Sequence, residues 1–302
     1  MIIKKRDSRE TEIKELTSLL SLPLPQDKRF LIERELRCIK AGDKGEQDSA
    51  YFIDFYYASS KNWMVLHDLR LECRNRVAQI DHLIINRMFE IYVLESKNFS
   101  YGVKITDDGE FLVNYNNKYF SIESPVEQNK RHILVLKNAL EQYDILPTRL
   151  GITIRPSIKS YIMVSPKSRV IRPLKHKFDT SMVIKGDTLC TEIDKSDDNV
   201  SAIEAVASVS KISSADTVKE VALRLAKLHK PIKIDYRKRF AIEDKPIVTE
   251  SSETQKSQKF FCFKCKKTIT RKVVSFCWDD KKRFGGKAYC FDCQKIFLKQ
   301  KK

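Results

Sequence analysis

The sequence predicts an α/β protein: a mixed sheet flanked by helices, with a small cysteine-rich module appended. Three observations predict it. Apolar residues run in the order helix, three or more antiparallel strands, helix, strand. A polar stretch, "EDKPIVTESSETQKSQK", then breaks that periodicity and reads as a linker. Beyond it lie two Cys-x2-Cys pairs.

Each element has its own reason. Residues 1–30 read as a polar helical lead-in ending in "SLPLPQ". The main domain follows over 31–195. In it a helix starts near Gly42 and runs through "EQDSAYFIDFYYASS". "WMVLHDLRLE" reads as a strand, and "IDHLIINRMFEIYVLESKN" as two strands joined by a short turn. "SYGVKITDDGEFLVNYNNKYF" alternates and turns at Asp108-Gly109. "PVEQNKRHILVLKNALEQY" opens on Pro and carries apolar residues at helical spacing. "IKSYIMVS" and "SMVIKGDTL" are further strands. Residues 196–242 form a helical extension broken near "SSAD", 243–258 the linker, and 259–302 the cysteine module.

The 302 residues suffice for one sizeable core and an appendage, and no internal repeat is present. The formal net charge of +17 favours a polyanionic partner, most simply nucleic acid. The first residues lack a signal-peptide pattern, and no stretch approaches the ~20 apolar residues that span a bilayer. A cytoplasmic, reducing location is therefore expected. There the eight cysteines are free, catalytic or metal-bound rather than disulfide-paired.

The hairpin carries charges in an apolar setting. Residues two apart on a strand share a face, so Glu95 and Lys97 point the same way. A turn at Arg87-Met88-Phe89, with Asn86 opposite Glu90, puts Asp81 opposite Glu95. Two carboxylates so close share a proton or bind a cation, and oxygen ligands suit Mg²⁺. Lys97 can then orient or deprotonate a metal-bound water. The same spacing fits a salt-bridged hairpin in which Lys97 neutralises Asp81 or Glu95 on a solvated face. Glu46 continues an apolar stripe through Ala50, Ile53 and Tyr57, and at the positive end of its helix it can reach the sheet edge. An ordinary first-turn Glu fits that position too. His82 points to the opposite face from Asp81 and reads as an interior histidine. The remaining histidines form no metal-ligand spacing.

The segments "AGDKGEQ", "HDLRL", "VAQIDHLIINRMFEIYVLESKNF" and "SPVEQNKRHILVLKNAL" resemble the nuclease-related domain (NERD) family of the restriction-endonuclease-like PD-(D/E)xK superfamily. The resemblance covers about residues 31–145 and extends through the strand near 161. Its most specific pieces are Gly-Glu at 45–46, Gln-Ile-Asp-His at 79–82 and Glu-Ser-Lys at 95–97. It implies a restriction-endonuclease-like mixed sheet. It also implies Asp81, Glu95 and the Ser96 carbonyl as metal ligands, Lys97 as the catalytic lysine, and Glu46 as the helix carboxylate completing the site. Gln128 matches a polar residue lining the same cleft. The doublet at the first Asp is Ile-Asp, not Pro-Asp, which leaves the carboxylate in place. Membership alone leaves substrate and turnover open.

Lys118, Lys130 and Arg131 are candidate phosphate contacts, with Tyr119 and Phe120 as stacking or packing groups. In the tail, Cys262-x2-Cys265 and Cys290-x2-Cys293 fit structural Zn²⁺ held by four thiolates. Cys277 is a spare buried thiol near Trp278 or a replacement ligand, and Cys38, Cys73 and Cys190 are expected in the core. A terminal helix, as in zinc-ribbon or treble-clef modules, is expected in "QKIFLKQKK". Residues 259–302 hold 14 Lys or Arg against 3 Asp. With the zinc centre this leaves about +9. Phe263, Phe276, Trp278, Phe284, Phe291 and Phe297 interleave with those bases, among them Lys281, Lys282 and Arg283, a composition suited to nucleic acid or to a small aromatic core.

The expectation is a Mg²⁺- or Mn²⁺-dependent nuclease hydrolysing DNA phosphodiester bonds, with a basic zinc module aiding binding. Cleavage of both strands by one active site favours a homodimer. The competing class is a non-catalytic nucleic-acid-binding or protein-interaction module on the same fold. A third, a redox or zinc-sensing regulator, requires cysteines that change state.

Overall fold

The computed structural model describes residues 1–100, 102–115, 118–198, 212–242 and 260–295. The chain divides into two units, Met1–Glu243 and Asp244–Lys302. The first opens with β1 (Ile2–Lys4), α1 (Glu10–Leu20), α2 (Gln26–Tyr57), β2 (Trp63–Cys73), β3 (Arg76–Asn86) and β4 (Glu90–Lys97). Next come β5 (Val103–Ile105), β6 (Phe111–Tyr115), β7 (Lys118–Ile122), α3 (Pro125–Gln142), β8 (Thr148–Arg149) and β9 (Ile152–Thr153). It continues with β10 (Ser157–Val164), β11 (Val170–Ile171), β12 (Val183–Lys185), α4 (Leu189–Asp198), α5 (Ala215–Lys227) and α6 (Tyr236–Arg239).

Six strands form the main sheet in the order β1-β2-β3-β4-β10-β12. β2, β3 and β4 are antiparallel neighbours, whereas β10 lies parallel to β4 and to β12. A parallel neighbour needs a crossover. Here it contains α3 and most of a second sheet, ordered β11-β5-β6-β7. Helices cover both faces of the main sheet. Val135, Leu136 and Ala139 of α3 and Val218 and Leu225 of α5 pack on one face. Ile53 and Tyr57 of α2 and Leu189 and Ile193 of α4 pack on the other. Double coverage explains why Ile91 to Glu95 of β4 are buried without a break. The mixed sheet flanked by helices is the architecture the sequence predicts.

Three expectations change. The lead-in is not helical throughout: Ile2–Lys4 joins the main sheet parallel to β2. The long helix starts at Gln26, not near Gly42. Ile32, Leu36 and Ile39 pack at helical spacing against Leu16, Leu19 and Tyr236. That burial outweighs the ~1 kcal/mol that each of Gly42 and Gly45 costs a helix. Cys38 is exposed on α2 rather than in the core, while Cys73 is buried and Cys190 partly so. The Ser214 hydroxyl caps the start of α5, within "SSAD", by accepting from the Thr217 amide. Residues 199–211 of the expected extension, the 243–258 linker, and Phe297 with the terminal helix lie outside the described residues. No helix among the described residues is long and apolar enough to cross a membrane.

The second unit contains β13 (Phe260–Phe261), β14 (Thr268–Ile269), α7 (Arg271–Asp279), α8 (Lys281–Phe284) and α9 (Phe291–Gln294). Its core is Cys262, Ile269, Val274 and Cys290, small enough to need a metal staple.

Candidate active site and candidate metal centre

The β3–β4 ladder pairs His82 with Leu94, Leu83 with Val93, Ile84 with Tyr92 and Ile85 with Ile91. Carried one position further, that register sets Asp81 opposite Glu95. The strands are locally kinked there. Met64 and Leu66 share a core face with Leu69 and Leu71, so β2 shifts its alternation at Asp68, whose φ is 50°. Ile80 and Leu83 likewise share a face across Asp81 and His82. Such irregularities re-aim side chains at sheet edges and sites. Asp81 Oδ2 accepts from the Ser96 amide at 2.8 Å.

Lys97 Nζ donates to Glu95 Oε1 at 2.7 Å and to Gln128 Oε1 at 3.1 Å. Gln128 lies in the first half of α3, whose first turn is capped by Ser124 and opened by Pro125. Glu95 is 2% exposed, and its buried Oε2 has no hydrogen-bond partner. His132 Nδ1 lies 3.5 Å from that oxygen. Burial, then the charges of Lys97 and Arg131, push the His132 imidazole down to about 4. A neutral ring at physiological pH adds no positive charge to Glu95.

Glu46 lies well inside α2, so the helix terminus gives it nothing. Two arginines face it: Arg9 by charge, and Arg6, whose Nη2 reaches Glu46 Oε2 at 3.2 Å and Asp43 Oδ1 at 2.7 Å. Burial, with Asp68 adding repulsion, raises the Glu46 carboxyl above its ordinary range. Asp81 is raised further, by burial first and then by Glu95 and Glu46. Burial raises Glu95, with Lys97 and Gln128 opposing. Negative charge is thus costly here, and a cation would relieve it. Asp81, Glu95, Lys97, Gln128 and Glu46 line one cleft of about 380 Å³, together with Gln79 and Gly45. Gly45 permits this closeness, since a Cβ there would lie 2.9 Å from the Asn98 Cβ.

A divalent cation fits this donor set by its chemistry: the Asp81, Glu95 and Glu46 carboxylates that line the cleft offer the hard oxygens it prefers, and one oxygen of Glu95 has no hydrogen-bond donor. Among the described residues, however, only the four cysteines bring three or more His, Cys, Asp or Glu ligand atoms within 4.8 Å of one another. The three cleft carboxylates are spread more widely.

Behind the cleft runs a buried chain of side chains. Asp54 Oδ1 lies 3.0 Å from His67 Nε2, His67 Nδ1 lies 2.7 Å from His82 Nδ1, and His82 Nε2 lies 3.0 Å from Ser96 Oγ. His82 is the interior histidine expected, and burial followed by the neighbouring His67 and Arg6 holds it well below the usual imidazole range.

Other candidates are dispersed. Lys118 is exposed on β7. Lys130 pairs with Glu127 at 2.7 Å, and Arg131 pairs with Glu123. These exposed pairs are weak and leave both cations able to exchange partners. His132, Asp68 and Arg6 escaped the sequence reading. His132 lies one helical turn after Gln128, which was a usable signal. Asp68 immediately follows His67 in the β2 strand, but its kinked backbone is invisible in a motif. Arg6 lies 40 residues from Glu46, and nothing local announces the contact.

In the second unit, Cys262 and Cys265 come from the β13–β14 hairpin, and Cys290 and Cys293 from the start of α9. Cys265 Sγ and Cys290 Sγ are 3.6 Å apart, close to the ~3.8 Å edge of a tetrahedral zinc–thiolate site. The cluster is compatible with Zn²⁺. Burial disfavours the Cys262 thiolate, yet the amides of Cys265, Cys290 and Lys264 prevail and bring its thiol to about 6. Burial and bonding to the other three thiols push Cys293 up to about 12. Cys277 is buried outside this set and accepts from the Tyr289 amide and Gln294 Nε2 at 3.4 and 3.3 Å. Phe263, Phe276, Trp278 and Phe291 are exposed, whereas Phe284 is buried. Lys281 is exposed, Arg283 lies over the Phe284 ring at 5.0 Å, and the Lys282 side chain is outside the described set.

Residues 41–165 match the model of the nuclease-related domain. No curated protein and no solved structure matches the chain.

Proposed function

Because a nuclease-related domain carries the cleft, we propose that this protein hydrolyses phosphodiester bonds in DNA with the aid of Mg²⁺ or Mn²⁺. The observation that carries this reading is Glu95: one oxygen holds Lys97, the other is buried without a hydrogen-bond donor, and Asp81 lines the same cleft. Asp81, Glu95 and the Ser96 carbonyl are the groups to hold the ion. A bound divalent cation supplies a Lewis acid and a water of lowered pKa. Lys97 orients or deprotonates the attacking water and offsets charge on the phosphate. Gln128 fixes the Lys97 amine. Glu46 supports the ion or water from α2. Cys262, Cys265, Cys290 and Cys293 hold a structural Zn²⁺, and the basic module around them, including Lys281, Lys282 and Arg283, tethers the enzyme to DNA. Lys118, Lys130 and Arg131 contact phosphates near the cleft. Cutting both strands takes two copies.

One observation favours a second reading. Lys97 is already satisfied by Glu95 and Gln128, and Glu46 by Arg6. A cleft whose lysine and helix carboxylate are already paired suits a non-catalytic binding module.

The deciding experiment is incubation of supercoiled plasmid and labelled single strands with zinc-loaded protein, with and without added Mg²⁺ or Mn²⁺, beside Lys97→Ala. Metal-dependent cutting lost in the variant supports hydrolysis. Folded, DNA-bound protein that never cuts supports the second reading.

A further inference from the structure

The second sheet, β11-β5-β6-β7, carries exposed groups besides Lys118 that the proposed hydrolysis leaves unused. Its buried side is apolar: Val103, Ile105 and Phe111 pack with Ile162 and Val164 of β10. Its other end is not. Tyr115, Tyr119 and Phe120 are 55%, 48% and 50% exposed, and β7 is an edge strand. Lys104 Nζ lies 5.9 Å from the Tyr119 ring centroid, and both alternate onto the face turned away from Val103, Ile105 and Phe111, whereas exposed Lys118 and Phe120 alternate onto the other. At the opposite edge, residues 167–177 contain Lys167, Arg169, Arg172, Lys175 and Lys177 with no acid. All five are exposed. The segment is held in place: Lys185 Nζ donates to the carbonyls of Ser165, Pro166 and Ser168, and the Val103 amide donates to Arg169 O at 2.8 Å. Acidic residues of the sheet, Asp107, Asp108 and Glu110, are confined to the β5–β6 turn.

Exposed rings interleaved with cations have one ligand class that uses both. Phosphates meet the cations, and unpaired bases stack on the rings. A duplex conceals its base faces and leaves the rings nothing to do. The sheet also adjoins the cleft. β7 leads through Ser124 into α3, which presents Gln128 to Lys97. Val164, the register partner of Lys97, packs with the sheet's apolar side. Ser165 and Pro166, just before the basic segment, line a small pocket with Lys97 and Gly45.

We propose that the outer face of this sheet binds single-stranded DNA, stacking bases on Tyr119 and holding phosphates on Lys104 and the 167–177 segment, and that it delivers that strand to the cleft. Only the delivery rests on the nuclease reading; the binding stands apart from it.

The test is fluorescence anisotropy with full-length, zinc-loaded Lys97→Ala protein, which keeps the DNA intact. The probes are a labelled oligo-dT and a duplex of equal length. Adding Tyr119→Ala should weaken oligo-dT binding about tenfold or more, with duplex binding changed by less than about twofold. Ultraviolet crosslinking to 5-iododeoxyuridine should map to Tyr119. Unchanged oligo-dT affinity, an equal loss for both probes, or crosslinks confined to the zinc module would each overturn the proposal. Cleavage is not measured, so a protein that never cuts leaves this result readable.

Discussion

The Ser96 amide donates to Asp81 Oδ2 across 2.8 Å. One strand of the hairpin thereby orients the carboxylate of the other. The single bond is a small counterweight to burial and to Glu95, which together raise Asp81 well above its usual range.

That imbalance predicts a pH effect. A carboxyl whose pKa is higher in the folded state stabilises the fold below its unfolded pKa of about 3.9, and that contribution is lost as pH rises through the folded value. At neutral pH without added divalent ion, Asp81→Asn should therefore raise Tm. Mg²⁺ should raise the Tm of wild type and not of the variant, with activity falling about 10²-fold or more in the variant. Thermal melts with and without Mg²⁺ check the first two, and plasmid cleavage the third.

The two α2 glycines should respond oppositely to alanine. A Cβ at Gly42 meets nothing within 4 Å, so Gly42→Ala should stabilise by about 0.5–1 kcal/mol. At Gly45 the Cβ would press on Asn98, next to Lys97. Gly45→Ala should destabilise by about 1–2 kcal/mol and lower activity, because β4 must yield. Urea unfolding of both variants measures this.

Arg6 should act as a counter-charge for Glu46. Arg6→Ala leaves Asp43, Glu46 and Asp68 with Arg9 as their remaining nearby arginine and should cost about 2–3 kcal/mol. Added Mg²⁺ should recover part of that loss, which distinguishes electrostatic from packing damage in the same unfolding experiment.

The histidine chain fixes tautomers. A carboxylate only accepts, so His67 Nε2 donates to Asp54. With its ring proton on Nε2, His67 accepts at Nδ1 from His82 Nδ1–H, and His82 Nε2 accepts from the Ser96 hydroxyl. Nitrogen-15 NMR should find His82 protonated at Nδ1 and His67 at Nε2 at neutral pH. His82 protonated at Nε2 would contradict this arrangement.

Zinc analysis should return one ion per chain for wild type and for Cys277→Ala. Cys265→Ser should lower occupancy and unfold the second unit, because zinc binding of about 10–16 kcal/mol is its folding energy. Near-ultraviolet dichroism of Trp278 follows the loss.

The hairpin register was legible because apolar alternation and a short turn leave one pairing that buries Leu83, Ile85, Ile91 and Val93 together. The same logic made α3, β10 and the Cys-x2-Cys pairs readable: each is a local pattern with one favourable outcome. The start of α2 was not, since two glycines mimic a boundary and only contact with α1 and Tyr236 overrules them.

By itself, then, the sequence determined the sheet-and-helix order, the register of the β3–β4 hairpin, the shared face of Glu95 and Lys97, and the grouping of four cysteines. Tertiary structure alone decided that Arg6 meets Glu46, that His132 lies beside Glu95, that β1 joins the main sheet, and that segment 167–177 borders the aromatic strand β7's sheet. The physical reason is range. Periodicity and turn chemistry act over a few residues, whereas these contacts join residues brought together only when both faces of the main sheet are buried.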